Sequence, residues 1–251
     1  MQYQEIRKKL EDFSRKNSCQ IALSACELED KKNCLSFNTQ KFFPAASLIK
    51  LPLALAVFDS KKDLKEKVEI LEQDYFAGAG NLKKTRPATL EIGKLLSLLL
   101  KDSDNTAQNV LLRILGERKF LAYLKKIKLK NTIFVSLPKA TDKKFSLTNP
   151  QEIISLAKAI NENEFLLQAL AKAPADDSAS FLTGRKYYHK VGRRLDSVSD
   201  FIIIKTQKRT LAIVSMINFP ISSFASLENK KRLSLLKNIN QLAFNYLRSK
   251  K

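Results

Sequence analysis

Phe43-Pro-Ala-Ala-Ser-Leu-Ile-Lys-Leu-Pro52 opens a segment, Ala46–Asp59, that is apolar except at Ser47, Lys50 and Asp59. A helix this apolar is expected to be buried on most sides. Ser47 stands at its start, where unbonded backbone N–H groups and the positive end of the dipole favour an alkoxide and the oxyanion that follows. Lys50 lies one turn further on the same face. Loss of hydration there is expected to weaken its ammonium form and make the amine a base able to take the serine proton. The Ser-x-x-Lys spacing is weak by itself, since it recurs at Ser136/Lys139, Ser155/Lys158 and Ser234/Lys237. Those lysines lie on amphipathic or loop segments from which they reach water, so context singles out the first pair.

Outward from this helix, Glu5–Lys16 has helical spacing, with Ile6, Leu10 and Phe13 on one face. Gln20–Leu28 and Asn33–Asn38 read as a hairpin. Thr89 caps an expected helix from Leu90 to about Lys101, and further helices are predicted over Thr106–Leu115, Lys119–Lys128 and Pro150–Asn161. The period then changes to two: Tyr187–Gly192, Asp200–Lys205 and Arg209–Phe219 read as successive antiparallel strands. A final helix is predicted over Leu227–Arg248. Strands gathered at the two ends of the chain exclude a βαβ nucleotide-binding fold and predict an α+β molecule. Its five-stranded antiparallel sheet is flanked by terminal helices and formed by residues 1–43 and 177–251; an all-helical lobe spans 44–176. The cleft between lobes is the expected site.

Two more motifs follow in order. Ser103-Asp104-Asn105 sits between two helices, where it also makes a good turn and N-cap sequence. His189-Lys190-Val191-Gly192 lies on a predicted inner strand, where a plain reading makes Lys190 a sheet-edge lysine and His189 a packing residue. Together with Thr148-Asn-Pro-Gln-Glu-Ile153, the three motifs resemble the serine β-lactamase and penicillin-binding superfamily, with class A β-lactamases the nearest pattern. The resemblance covers nearly the whole chain. It implies that Ser47 is the acylated nucleophile and Lys50 its base or proton relay. It implies that Ser103 passes a proton to the leaving nitrogen and that Asn105 binds the substrate's side-chain amide. Lys190 would attract the substrate carboxylate and tune Ser103. Past Gly192, the backbone N–H of Arg193 would join that of Ser47 in an oxyanion hole. Asp104 reads as a structural turn residue.

Two departures from the family pattern bear on activity. The family's omega-loop glutamate, in a Glu-x-x-Leu-Asn setting, activates the water that releases the acyl-enzyme. Between Arg118 and Gln151 the only carboxylate is Asp142. Two lysines beside it suggest a solvated turn, and Asp142 is the candidate deacylation substitute. Glu152 follows, but Asn149-Pro150-Gln151-Glu152 reads as a capping box, which makes Glu152 a poor water activator. The second departure is Val191, which replaces the hydroxyl of Lys-Thr-Gly and loses about 1–2 kcal/mol of carboxylate recognition. Arg193 or Arg194 is the candidate replacement, since guanidinium pairs well with carboxylate.

With 251 residues, 45 Lys+Arg against 25 Asp+Glu and a net charge of +20, the chain is long enough for a large core and strongly basic. Its 13 Gly and Pro residues and 44% apolar content exclude a disordered or collagen-like chain. No apolar run reaches the ~18 residues of a membrane span, so stable insertion is not expected. The charge suits attraction to anionic envelope polymers or lipids, and nucleic-acid binding is the rival reading, without a base-reading motif to accompany it. Cys19, Cys26 and Cys34 form no disulfide framework or metal-ligand cluster, and no cofactor or metal is expected. Cys26 and Cys34 straddle a turn and face each other if it is a hairpin; a buried pair of free thiols is the plainer expectation. The N-terminus lacks the apolar core of an export signal. Either the protein stays inside, or a leader was removed and it works outside the cytoplasm.

The expected activity is therefore a class A β-lactamase-like serine hydrolase acting on β-lactams or related amides, with weak turnover. A D,D-peptidase-like enzyme acting on a peptidoglycan-like peptide is the alternative. The rival from another class is a non-catalytic binder of anionic polymers.

Overall fold

A computed structural model of the protein describes residues 2–30, 32–141, 144–171, 177–220 and 229–250. The chain divides into two compact units, Met1–Leu48 with Leu147–Lys158 and Ala175–Lys251, and Ile49–Ser146 with Ala159–Pro174. The division thus places 44–48 and 147–158 with the sheet, where the sequence reading ran the helical lobe unbroken from 44 to 176.

The first unit is built on an antiparallel sheet of β1 (Gln20–Glu27), β2 (Cys34–Phe37), β7 (Lys186–Arg193), β8 (Ser197–Lys205) and β9 (Thr210–Asn218), in the order β2-β1-β9-β8-β7. The central strands β8 and β9 are buried at every position but the last; β9 accordingly reads as a nearly continuous apolar run, whereas β8 buries Ser197, Ser199 and Asp200 in its first half. On one face Ile21 and Leu23 of β1, Ile213 and Ile217 of β9 and Ile202 of β8 join one core with Ile6 and Leu10 of α1 (Tyr3–Lys16). Leu236, Ile239, Ala243 and Leu247 of α10 (Asn229–Ser249) complete it. Truncating any of these leucines or isoleucines to alanine costs about 2–5 kcal/mol. The helix α7 (Pro150–Ser155) packs against β1 and β9. A two-residue pair, β3 (Phe43–Pro44) with β6 (Leu147–Thr148), ties the segment before Ser47 to the chain that enters α7.

Within this unit a fully buried carboxylate, Asp200, accepts hydrogen bonds from Ser178 Oγ at 2.7 Å and Asn240 Nδ2 at 3.3 Å. His189 Nδ1 lies 3.5 Å from its other oxygen. The lone histidine is therefore a buried strand residue held beside a carboxylate, and α10 is pinned to the sheet by polar as well as apolar groups.

The second unit is helical around α2 (Lys50–Asp59), buried from Lys50 to Val57 and packed on α4 (Ile92–Lys101), α5 (Asn105–Leu115) and α6 (Glu117–Lys126). In α4 the buried residues Ile92, Leu95, Leu96, Leu99 and Leu100 mark one helical face, and α9 (Glu164–Ala171) packs against this helix. A short α3 (Leu82–Thr85) precedes it, and the unit boundary falls within α8 (Ala157–Asn161).

Three expectations are corrected. Thr89 does not cap a helix: Thr89–Glu91 forms β5, paired with β4 (Lys67–Glu69), and α4 begins at Ile92. A three-residue strand is too short to show a period, and its partner lies some twenty residues back, so the pairing had no local signature. The predicted helix Pro150–Asn161 is two helices, α7 and α8, parted at Leu156. Finally, Cys26 and Cys34 are not free thiols but a disulfide. The β1–β2 register sets them directly opposite each other, and both are half-buried rather than buried. Cys19 is a free, buried thiol.

Candidate active site

The apolar segment starts differently from a plain α-helix. Ala46–Ile49 is a 3₁₀ turn, closed by Leu48 N–H donating to Ala45 O at 2.9 Å, that runs directly into α2. Ala46, just before Ser47, has φ +43°, a left-handed conformation that costs a non-glycine residue about 1–3 kcal/mol. Ser47 is half-buried in this turn, three residues before Lys50.

In the same unit as Ser47, the strand β7 carries Lys190, 4% exposed, with Nζ 3.3 Å from Val191 O, to which it donates. Gly192 is where the strand meets the nucleophile segment. A Cβ there would stand 3.3 Å from Ala45 O and from Ala46 Cβ, and 2.5 Å from Ser199 Oγ. Only glycine lets β7 lie this close to Ala45–Ala46. Arg193 ends the strand and is exposed. Arg194 donates from Nε to Asp196 Oδ1 at 3.0 Å, so its guanidinium is engaged by a neighbouring carboxylate and is a poor replacement for the missing threonine hydroxyl.

In the helical unit Lys50 is 1% exposed. The lysines of the other three Ser-x-x-Lys matches reach solvent: Lys139 and Lys158 are exposed and Lys237 half-buried. Lys50 Nζ donates to Ser103 O at 2.6 Å and Asn105 Oδ1 at 2.8 Å, with Ser103 Oγ at 3.5 Å. Two residues of the Ser-Asp-Asn turn thus hold the lysine of the first motif. The turn is itself held: Ser103 has φ +57°, and Asp104, buried at the N-cap of α5, accepts from Ala107 N at 2.9 Å, Asn81 N at 2.8 Å and Leu82 N at 3.0 Å. Asp104 is the structural residue the sequence suggested.

The sequence reading missed the segment that receives this turn. Ala77-Gly78-Ala79-Gly80-Asn81 takes Asn105 Nδ2 on Ala77 O at 2.9 Å and Asn105 N on Ala79 O at 3.0 Å. Gly78 and Gly80 have φ +104° and +91°, and a Cβ on them would meet Asn105 Nδ2 at 2.8 Å and Asp104 Oδ2 at 2.0 Å. Two of only six glycines standing two apart was the available signal.

A sequence profile described as the Beta-lactamase enzyme family matches residues 5–247. The chain belongs to that family. Beta-lactamase VEB-1 of Pseudomonas aeruginosa is 28% identical over 115 residues, 43% of this chain. That match spans only 38% of the curated relative's length. A beta-lactamase of Sphaerobacter thermophilus DSM 20745 superposes with TM-score 0.85 at 17% identity over 100% of both chains. An acyl-enzyme complex of a PBP-A mutant with penicillin G superposes with TM-score 0.82 at 21% identity, over 98% of this chain and 96% of that one. At these identities the structural likeness carries the two-lobed α+β fold of serine beta-lactamases.

Within this beta-lactamase-family chain the deacylation candidates fare differently. Glu152 is buried in the first turn of α7, its N–H donating to the Asn149 cap at 2.9 Å. Pro150 occupies the first helical position, as the capping pattern predicted. Asp142 lies outside the described residues.

Proposed function

We propose that the protein is a serine hydrolase that opens β-lactams, or related amides, through an acyl-enzyme on Ser47. The observation that carries this reading is the 1%-exposed Lys50 side chain whose Nζ donates to Ser103 O and Asn105 Oδ1. A lone lysine in an apolar helix is costly; one fixed on a Ser-Asp-Asn turn beside a serine one helical turn away has a chemical use.

In the proposed step the neutral Lys50 amine takes the Ser47 Oγ proton as Oγ attacks the lactam carbonyl carbon. The carbonyl oxygen becomes an oxyanion held by the N–H groups of Ser47 and Arg193, each such donor being worth about 3–4 kcal/mol. The C–N bond then breaks, the oxyanion returns to a carbonyl, and Lys50 returns the proton to the leaving nitrogen through Ser103. Lys190 supplies the positive field for the substrate carboxylate, Asn105 meets the side-chain amide, and Gly192 keeps β7 close to Ala45–Ala46. Val191 offers that carboxylate no hydroxyl, so recognition falls to Lys190 and Arg193.

Release of the acyl group needs a base for water. Glu152 stands buried in the first turn of α7, outside the family's Glu-x-x-Leu-Asn setting, and Asp142 is the one substitute the sequence offers, so slow deacylation is part of the proposal. The likeness to PBP-A favours a second reading, a penicillin-binding D,D-peptidase-like enzyme whose acyl group passes to another acceptor. The Cys26–Cys34 disulfide supports a place outside the cytoplasm, where such bonds persist.

Incubation with penicillin G followed by intact-mass measurement tests the reading. A one-to-one adduct that survives minutes to hours and is absent in Ser47→Ala is expected. No adduct with penicillins, cephalosporins or carbapenems would remove it.

A further inference from the structure

The basic surplus is not spread evenly. Residues 118–130 carry Arg118, Lys119, Lys125, Lys126, Lys128 and Lys130 and no acid, and all six cations are exposed. Glu117, the acid at the edge of this run, is paired with Lys139 at 3.1 Å. Phe120 and Leu124 turn α6 inward, leaving Arg118, Lys119, Ala122, Lys125 and Lys126 on its exposed side. Among them stands Leu121, 39% exposed, with Arg118 three residues before it and Lys125 four after. Ile133, 51% exposed, lies on the segment whose Phe134 ring meets the Phe120 ring edge-on at 4.9 Å. Both are among the few large aliphatic side chains that the described residues leave open to water.

From this juxtaposition we infer that α6 and the segment through Ile133 form a peripheral docking surface for an anionic lipid bilayer. Each cation gains from the negative surface potential of acidic headgroups. A nucleic-acid backbone would draw the same lysines but gives an aliphatic side chain nothing. A bilayer rewards Leu121 and Ile133, which can enter the headgroup boundary while the lysine stems lie along it. An association held by exposed charges and two aliphatic side chains is reversible and salt-sensitive. It does not depend on the catalytic reading.

Co-sedimentation of the full chain with phosphatidylcholine vesicles, with and without phosphatidylserine, tests this. Binding is expected only with phosphatidylserine and is lost on raising the salt. Replacing Lys125, Lys126 and Lys128 by glutamine should weaken it by more than about tenfold, and Leu121→Asn, which keeps the charge, should weaken it several-fold. All these side chains are on the surface, so circular dichroism and Ser47 labelling should match the parent protein. Failure to bind phosphatidylserine vesicles at low salt, or binding that the triple variant leaves intact, overturns the inference. So does a Leu121→Asn protein that binds vesicles as before and is displaced from them by duplex DNA, which would mark a general polyanion site.

Discussion

Lys50 is the residue whose role and stability contribution can be separated experimentally. Lys50→Ala removes the proposed base and leaves Ser103 O and Asn105 Oδ1 without its donor hydrogens. Acylation by penicillin should fall by about 10²–10⁴-fold, while stability falls by about 1–3 kcal/mol. A stopped-flow acylation rate beside a denaturant melt separates the two; unchanged acylation removes Lys50 from the mechanism. Cys19 gives a second test. Burial pushes its thiol from an ordinary value near 9 up to about 11. A raised thiol stays neutral in the folded state while the unfolded chain ionises. Its contribution is therefore intact below about pH 9 and is lost as pH rises toward 11. At pH 8 without reductant, a thiol reagent should find no reactive cysteine in the native protein and one after unfolding. Three after unfolding would contradict the Cys26–Cys34 bond.

At the scale of elements, the turn between α4 and α5 carries the site and depends on a segment the motifs did not announce. Asp104→Ala would strip the cap of α5 and the acceptor for Asn81 N and Leu82 N, a loss of about 2–4 kcal/mol by thermal or denaturant melting. Gly80→Ala should approach that cost, because its Cβ would overlap the Asp104 carboxylate at positive φ; a wild-type melting curve for Gly80→Ala would show that the segment packs otherwise. The first motif was legible because it sets Lys50 in an apolar helix; Ser103-Asp104-Asn105 and His189-Lys190-Val191-Gly192 have plain readings of their own and were legible only in order beside it, through the family resemblance. The segment Ala77–Asn81 was not, because backbone groups do most of its bonding and leave no side-chain pattern. The pairs β3–β6 and β4–β5 were invisible for a related reason: two or three residues show no alternation. In the proposed mechanism, release of the acyl group turns on Asp142, the one substitute base that the sequence offers between Asn131 and Asn149. Asp142→Glu, with its longer reach, should speed release of a Ser47 adduct, and an unchanged decay rate by intact mass would mean that this position is not presented to the acyl group.

At the scale of the whole molecule, the five-stranded sheet and the helical unit followed from where the strands fall along the chain. The long apolar run of β9, the short one Phe201–Ile204 in β8 and the stripes of α1 and α10 pointed to the sheet before any pairing was known. What composition left open was the meaning of the +20 charge, because charge is a surface property and a sequence does not show which lysines share a face. Chemistry is the claim on which the functional account stands, and its most direct measurement is the mass of the protein after exposure to penicillin G. The account predicts one covalent adduct on Ser47 that decays slowly and is missing from Ser47→Ala. A protein whose mass never changes with any β-lactam, or an adduct that persists in Ser47→Ala, would contradict it.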